Sequence, residues 1–254
     1  MTEIKKTNHS LLFIIICSLF IIYYSLFTVP VQSQAPQINI TLTWSTNTYI
    51  PLDYPGKALP TKGSIIEVIA NIDSQEVNPQ ELDYRWFLNK HLQTEQSGQA
   101  RSALRFPVKW TSENEQSIRV EIRDKEKNLL GSAYLNIGIV QPQVVIQPIT
   151  NKGTLPLESS VSSIIKEYQI SVEQEMSFMA QPYFFNISSI NELNFNWNLG
   201  GREASQISSD NPHIFILKIG QLIQSIKQNL KIGVENKNNP LQRAQTTAEI
   251  TFIP

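Results

Sequence analysis

The sequence predicts an all-β fold: two antiparallel sandwiches in tandem behind an N-terminal transmembrane helix. Three observations predict it. An uncharged apolar run, Leu11 to Val29, stands near the start of the chain. Beyond it, apolar and polar residues alternate in short runs separated by turn residues, as in strands with one buried and one wet face. That pattern occurs twice, about 110 residues apart. With 41% hydrophobic and 17% charged residues the chain has the material for packed cores and is not a disordered polymer.

The apolar run is 19 residues long, follows Lys5 and Lys6, and is followed by no basic residue until Lys57. That asymmetry keeps the N-terminus in the cytoplasm and sends the remainder across the membrane. Nineteen residues exceed the apolar core of a secretory signal and nearly match a bilayer span, which favours a retained anchor, residues 11–29, within an N-terminal segment 1–35. A cleaved signal peptide is the alternative, with Ser33-Gln34-Ala35 or Val31-Gln32-Ser33 as the small-residue site; Pro36 disfavours the first. Tyr23, Tyr24 and Phe27 suit an interfacial aromatic belt. Cys17 is the one cysteine, and Ile16 before it does not fit a lipobox.

The duplication is explicit in the residues. Glu81-Leu82-Asp83-Tyr84-Arg85-Trp86 recurs as Glu192-Leu193-Asn194-Phe195-Asn196-Trp197, 111 positions on. Upstream, Ile66 to Ala70 matches Met176 to Ala180 at an offset of 110, and downstream Ile118 to Asp124 matches Leu230 to Asn236 at 112. Pro51-Leu52-Asp53 echoes Pro156-Leu157-Glu158. The copies span 36–141 and 142–254, with the boundary near Gln141 and Pro142. So short a linker, stiffened by proline, holds the two end to end.

Period-two alternation at Ile38, Ile40, Leu42, then Leu82, Tyr84, Trp86, then Ile118, Val120, Ile122, then Leu135, Ile137, Ile139 predicts strands. Turns are expected at Pro55-Gly56, Ser97-Gly98, Lys127-Asn128, Gly200-Gly201 and Asn238-Asn239-Pro240. One helical signal stands out: Ile219, Leu222, Ile223, Ile226 and Leu230 are spaced for two helical turns before a strand. Trp86 and Trp197 are expected to plug the two cores, while Trp44 and Trp110, without counterparts, are candidates for a surface or inter-domain role.

These residues resemble the polycystic kidney disease (PKD) type of immunoglobulin-like sandwich, in which a Y-x-W strand precedes a V-x-V-x-D strand, a turn and a last strand. Tyr84, Trp86, Val120, Ile122 and Asp124 match in the first copy; Phe195, Trp197, Ile232, Val234 and Asn236 match in the second. The resemblance implies two immunoglobulin-like (PKD-like) sandwiches of the kind found in bacterial surface proteins. Both copies depart from it just after the tryptophan, where Phe87-Leu88-Asn89-Lys90 and Asn198-Leu199-Gly200-Gly201 replace an acidic-glycine turn.

No nucleophile or metal motif accompanies the repeats. Three histidines, His9, His91 and His213, are too scattered for an imidazole cluster, and the charge balance of 21 basic against 22 acidic residues gives no footprint for nucleic acid. Glu81 and Asp83 share a strand face without a further catalytic group, and Gly56-Lys57 lacks the rest of a phosphate loop. Residues 139–153 contain no Asp or Glu, which argues against calcium at the junction. Asn39 and Asn186 stand in N-glycosylation patterns, but a disulfide-free exported sandwich pair points to a bacterium.

The expectation is therefore a non-enzymatic protein without cofactor, tethered through residues 11–29 as a single-pass membrane protein with the bulk of the chain extracytoplasmic, or secreted if the leader is cleaved. It would act as a spacer or protein-interaction module of the cell envelope. The alternatives are a carbohydrate-binding or adhesion module, or an accessory subunit of an envelope complex. For glycan or protein binding the candidate residues are Tyr54 and Tyr183, with Tyr49 and Phe184 beside them in loops.

Overall fold

A computed structural model of the chain describes residues 38–74, 77–150, 153–154, 166–171, 175–204, 210–218 and 220–254. The apolar run 11–29, the candidate cleavage positions and Cys17 lie outside the described residues. Among those described, no helix is long and apolar enough to cross a membrane.

The first half is built from β1 (Asn39–Thr46), β2 (Ile65–Asp73), β3 (Asp83–Leu88), β4 (His91–Leu92), β5 (Gly98–Gln99), β6 (Ala103–Pro107), β7 (Glu115–Arg123) and β8 (Leu129–Gly138). One sheet has the order β1-β2-β6. The other has the order β4-β3-β7-β8, with β5 on β3. The second half contains β9 (Gln143–Thr150), β10 (Gly153–Thr154), β11 (Lys166–Ser171), β12 (Glu175–Tyr183), β13 (Leu193–Leu199), β14 (Arg202–Glu203), β15 (Ile214–Lys218), β16 (Ile226–Asn236) and β17 (Asn239–Ile253). Its sheets run β10-β9-β12-β15 and β11-β17-β16-β13-β14. The described residues are thus all-β and form two immunoglobulin-like sandwiches, as the alternation predicted.

Each sandwich has its own core. In the first, Ile66, Val68, Tyr84, Trp86, Leu104, Ile118, Val120 and Ile122 face inward from both sheets. In the second, Phe178, Ala180, Phe195, Trp197, Phe215, Leu217, Leu230, Ile232 and Val234 do the same. Burying one such large side chain contributes about 1.5 to 3 kcal/mol, so either core suffices to drive its own sheets together.

The duplication extends to hydrogen bonds. The Trp86 indole N–H donates to the Arg101 carbonyl at 2.8 Å, and the Trp197 indole to the Pro212 carbonyl at 3.1 Å, each fifteen residues downstream. Both tryptophans are fully buried, so a lost indole partner would leave a costly orphan donor. A short 3₁₀ turn introduces each tryptophan strand: Pro79–Glu81 capped by Asn78, and Ile190–Glu192 capped by Ser189 in a capping box. After each strand comes a two-residue hairpin. Leu88 pairs with His91 around Asn89 and Lys90, and Leu199 with Arg202 around Gly200 and Gly201. All four turn residues have positive φ, the geometry that matches strand twist in tight hairpins.

The helical expectation for Ile219 to Leu230 is corrected. Ile219 lies outside the described residues, residues 220–225 form no helix, Ile223 is fully exposed and Ile226 opens β16. Two isolated helical turns are marginal in water, whereas Leu230 on β16 pairs with Leu199 of β13 and Ala248 of β17. The strand gains two ladders and a buried side chain; the helix would gain neither.

Candidate functional site at the junction of the sandwiches

The loop between β1 and β2 of the first sandwich meets two segments of the second: the stretch after β12 and the β16–β17 hairpin. Backbone pairing crosses the boundary twice. The Tyr49 N–H donates to the Phe185 carbonyl and the Phe184 N–H to the Tyr49 carbonyl, both at 2.7 Å. Phe184 adopts φ +62°, a left-handed conformation that costs a non-glycine residue energy, at the point where the chain presents these groups to Tyr49. Tyr49 then packs against the core of the second sandwich. A side chain of one half thus completes the core of the other.

Beside this contact lies a buried polar chain centred on Gln242, which is 1% exposed. Its oxygen accepts from the Asn186 N–H (2.9 Å) and the Asn236 amide (3.1 Å), while its nitrogen donates to the Thr61 hydroxyl (3.1 Å) and the Lys62 carbonyl (2.9 Å). The Asn186 side chain extends the chain, donating to the Gly63 carbonyl at 2.9 Å and accepting from the Asn47 amide at 2.8 Å. A fully partnered network of this kind fixes relative position, because each group left unpaired costs about 1 to 3 kcal/mol. Gly63 suits glycine through its φ of +91°, a backbone conformation that other residues adopt only with strain, and it lies beside the Trp110 ring and the Asn239 amide. The linker is fastened as well, since the Val140 N–H donates to the Pro60 carbonyl at 2.9 Å and Thr61 bridges Val140.

The two candidate binding residues are brought together here. The Tyr54 and Tyr183 rings stand 5.3 Å apart, edge to face at 67°, and both pack on Phe184. Tyr183 is 6% exposed. Burial first, then the Asp53 carboxylate and the neighbouring tyrosines, push its phenol up to about 12. Burial and Asp53 also raise the Tyr49 phenol. Asp53 in turn accepts from the Gln181 amide at 3.2 Å. The pair is therefore neither coplanar nor open, and its rings serve the contact between the sandwiches.

The other sequence candidates take structural places. Trp44 is half-buried against the first core under the Lys57 ammonium, 3.5 Å from its ring, and desolvation lowers the Lys57 pKa. Trp110, 39% exposed, stands beside the junction glycine. Glu81 and Asp83 each pair with a lysine of the β7–β8 turn: Lys125 at 2.8 Å and Lys127 at 3.4 Å. The Lys125 hydrogen bond holds the Glu81 carboxyl below its ordinary range. Asn39 is exposed on β1, but Asn186 already uses its side-chain nitrogen on Gly63, so a glycan there would break the junction. Among the described residues no group of three or more His, Cys, Asp or Glu could hold a metal ion. A cleft of about 550 Å³ between β14 and β15 is lined by Leu199, Arg202, Glu203, Phe215 and Lys218, and its charged groups are exposed.

Sequence reasoning did not single out Asn47, Gln242 or the inserted role of Tyr49. The one available signal was Asn236, the amide that stands where the first copy has an acid.

No family model matches the chain, and neither does any curated protein. Among solved structures it is similar to the three N-terminal domains of the highly immunogenic outer capsid protein of bacteriophage RB49, at 15% identity and a TM-score of 0.42 over 84% of this chain and 59% of that one. It thus spans less than two thirds of that structure. It is also similar to fibronectin(III)-like modules of Clostridium thermocellum CbhA, at 8% identity and a TM-score of 0.28 over 85% of this chain and 93% of that one. A third likeness is to immunoglobulin domains 1–4 of Sidekick-1, at 8% identity and a TM-score of 0.26 over 82% of this chain and 74% of that one. The sandwich assignment rests on the sheets and the two tryptophan cores.

Proposed function

We propose that this chain is a membrane-tethered, extracytoplasmic protein of a bacterial cell envelope, whose two sandwiches, residues 36–141 and 142–254, form a stiff spacer that presents an interaction surface and performs no catalysis. The observation that carries the reading is the junction: two backbone hydrogen bonds, a buried Gln242 with all four bonding positions used, and Tyr49 seated in the neighbouring core. A flexible connection would need none of these. The tether is inferred from the apolar run 11–29 behind Lys5 and Lys6.

Two measurements test it. Protease added to intact spheroplasts should remove the bulk of the chain, and protection that persists until lysis would refute the orientation. Small-angle scattering of the full chain in detergent should give one sharp inter-sandwich distance, which Gln242→Ala broadens. A wild-type distribution already as broad as the variant's would refute the stiff spacer.

A further inference from the structure

The two sandwiches share their strand register pair by pair, so the second is an internal control for what the fold demands of the first. On the outer face of the β4-β3-β7-β8 sheet, a row runs Leu92, Phe87, Arg119, Tyr134 across four strands. Next to it Arg85 lies opposite Glu121, and beyond that Asp83 lies opposite Arg123. The second sandwich has Glu203, Asn198, Lys231 and Thr247 in the corresponding row, then Asn196 opposite Gly233 and Asn194 opposite Glu235. Inward-facing residues agree in kind between the copies, whereas this outer face does not. An aromatic and arginine-rich face is therefore not a requirement of the fold.

Its chemistry is unusual for this chain. Three of the seven arginines, Arg85, Arg119 and Arg123, sit on two adjacent strands. The Arg119 guanidinium lies 3.9 Å over the Phe87 ring, and both Arg119 and Arg123 pair with Glu121. Arg85 has no carboxylate partner among the described residues, and the Arg123 Nε hydrogen is unpartnered. Since Asp83 is engaged by Lys127, Glu121 is left to balance three guanidiniums. Tyr134 stands 70% exposed and Leu92 39% exposed at the two ends of the row. Exposed tyrosine and half-buried arginine around a partly covered aromatic make the composition of a protein-binding hot spot.

We infer that this face docks an acidic segment of a partner protein. Carboxylates of that segment pair with Arg85, and an apolar side chain lies on Tyr134. Charge complementarity selects the acidic partner. Arg119 already covers the Phe87 ring, which leaves Tyr134 without a second open ring beside it to cradle a sugar. Three guanidiniums with one carboxylate among them fall short of the basic cluster that holds an anionic membrane. The inference rests on the reading of the chain as an interaction protein and adds the surface and the class of partner.

The test uses the full chain in detergent against a displayed library of random dodecapeptides. The variant Arg85→Asn/Phe87→Asn/Tyr134→Thr imports the residues of the second sandwich at matching positions, and Arg85→Asn alone serves if the triple variant does not fold. Wild type should enrich peptides rich in Asp and Glu, with affinity that falls about tenfold in the variant and drops with added salt. Asn196→Ala/Thr247→Ala on the second sandwich should leave binding unchanged. Enrichment without acidic preference, equal binding by the triple or Arg85→Asn variant, or retention of phosphatidylglycerol vesicles or glycans in place of peptides would overturn the inference. None of these results alters the scattering or protease outcomes, so failure here is distinguishable from failure of the spacer reading.

Discussion

Asn236 stands in the second sandwich where Asp124 stands in the first, and both side chains brace the same hairpin. The Asp124 carboxylate accepts from the Asn128 N–H at 2.7 Å, and the Asn236 oxygen accepts from the Asn238 N–H at 2.9 Å. The difference lies in the other half of the side chain. The Asn236 amide donates to the Asn186 carbonyl at 3.2 Å and to Gln242 at 3.1 Å, inside the junction. Carboxylates cannot donate, so the acid that suits an exposed turn has been replaced where the turn is buried.

Asn236→Asp should therefore cost about 2 to 3 kcal/mol, from two lost donors and a charge without compensation. The reciprocal Asp124→Asn, on an exposed turn, should stay within about 0.5 kcal/mol of wild type. Urea unfolding of both variants checks the asymmetry, and equal losses would mean that the junction contributes nothing special.

Trp86→Ala and Trp197→Ala should each cost about 3 to 5 kcal/mol through the cavity left and the orphaned carbonyl. Circular dichroism during thermal unfolding should show one half of the sheet signal lost early while the other half persists. A single cooperative transition in both variants would show that the sandwiches unfold as one.

Fragments divided at Gln141 should both fold, the second less stably than in the intact chain. Separation removes Tyr49 from its place against the second core and uncovers Phe184 and Phe185, at a cost of about 1 to 3 kcal/mol. Stability equal to that in the full chain, by denaturant titration of fragment 142–254, would contradict the inserted role of Tyr49.

Alkali should weaken the fold through Tyr183. Its phenol titrates near 10 when unfolded and at about 12 when folded, so the unfolded chain loses its proton first as pH rises. Stability is complete below about pH 10 and declines by about 2 to 3 kcal/mol by pH 12. Tyr183→Phe should flatten that decline in pH-dependent unfolding. On the acid side, burial lowers the His213 pKa, so its contribution is complete above the ordinary imidazole value of 6.5 and is lost as pH falls.

Most of the sandwich architecture was legible because alternation and duplication are local signals: Tyr84 with Trp86 and Phe195 with Trp197 sit on strands at matched register. The junction was not. Asn47, Gln242 and Tyr49 lie in turns or on strand faces whose polarity looks like that of any wetted residue, and the partners that place each of them at the junction lie more than a hundred positions away. Tyr54 and Tyr183 stand out in the sequence as aromatics near turns, which points to the junction but not to Tyr183 closing β12 or to the edge-to-face contact of the two rings. The stretch around Leu222 misled because three-and-four spacing in a short isoleucine-rich run also arises where an irregular loop feeds a strand.

The contact between the sandwiches is heterologous: dissimilar ends meet, with no twofold axis relating them. Such contacts, when they recur between molecules, generate open fibres. A second molecule adding by the same rule would have to use the outer end of the first sandwich, and the hairpin there carries Asp124 where the mating surface requires the two donors of an asparagine amide. The head-to-tail rule is satisfied once, within the chain, and Asp124 lacks the donors that would repeat it between molecules.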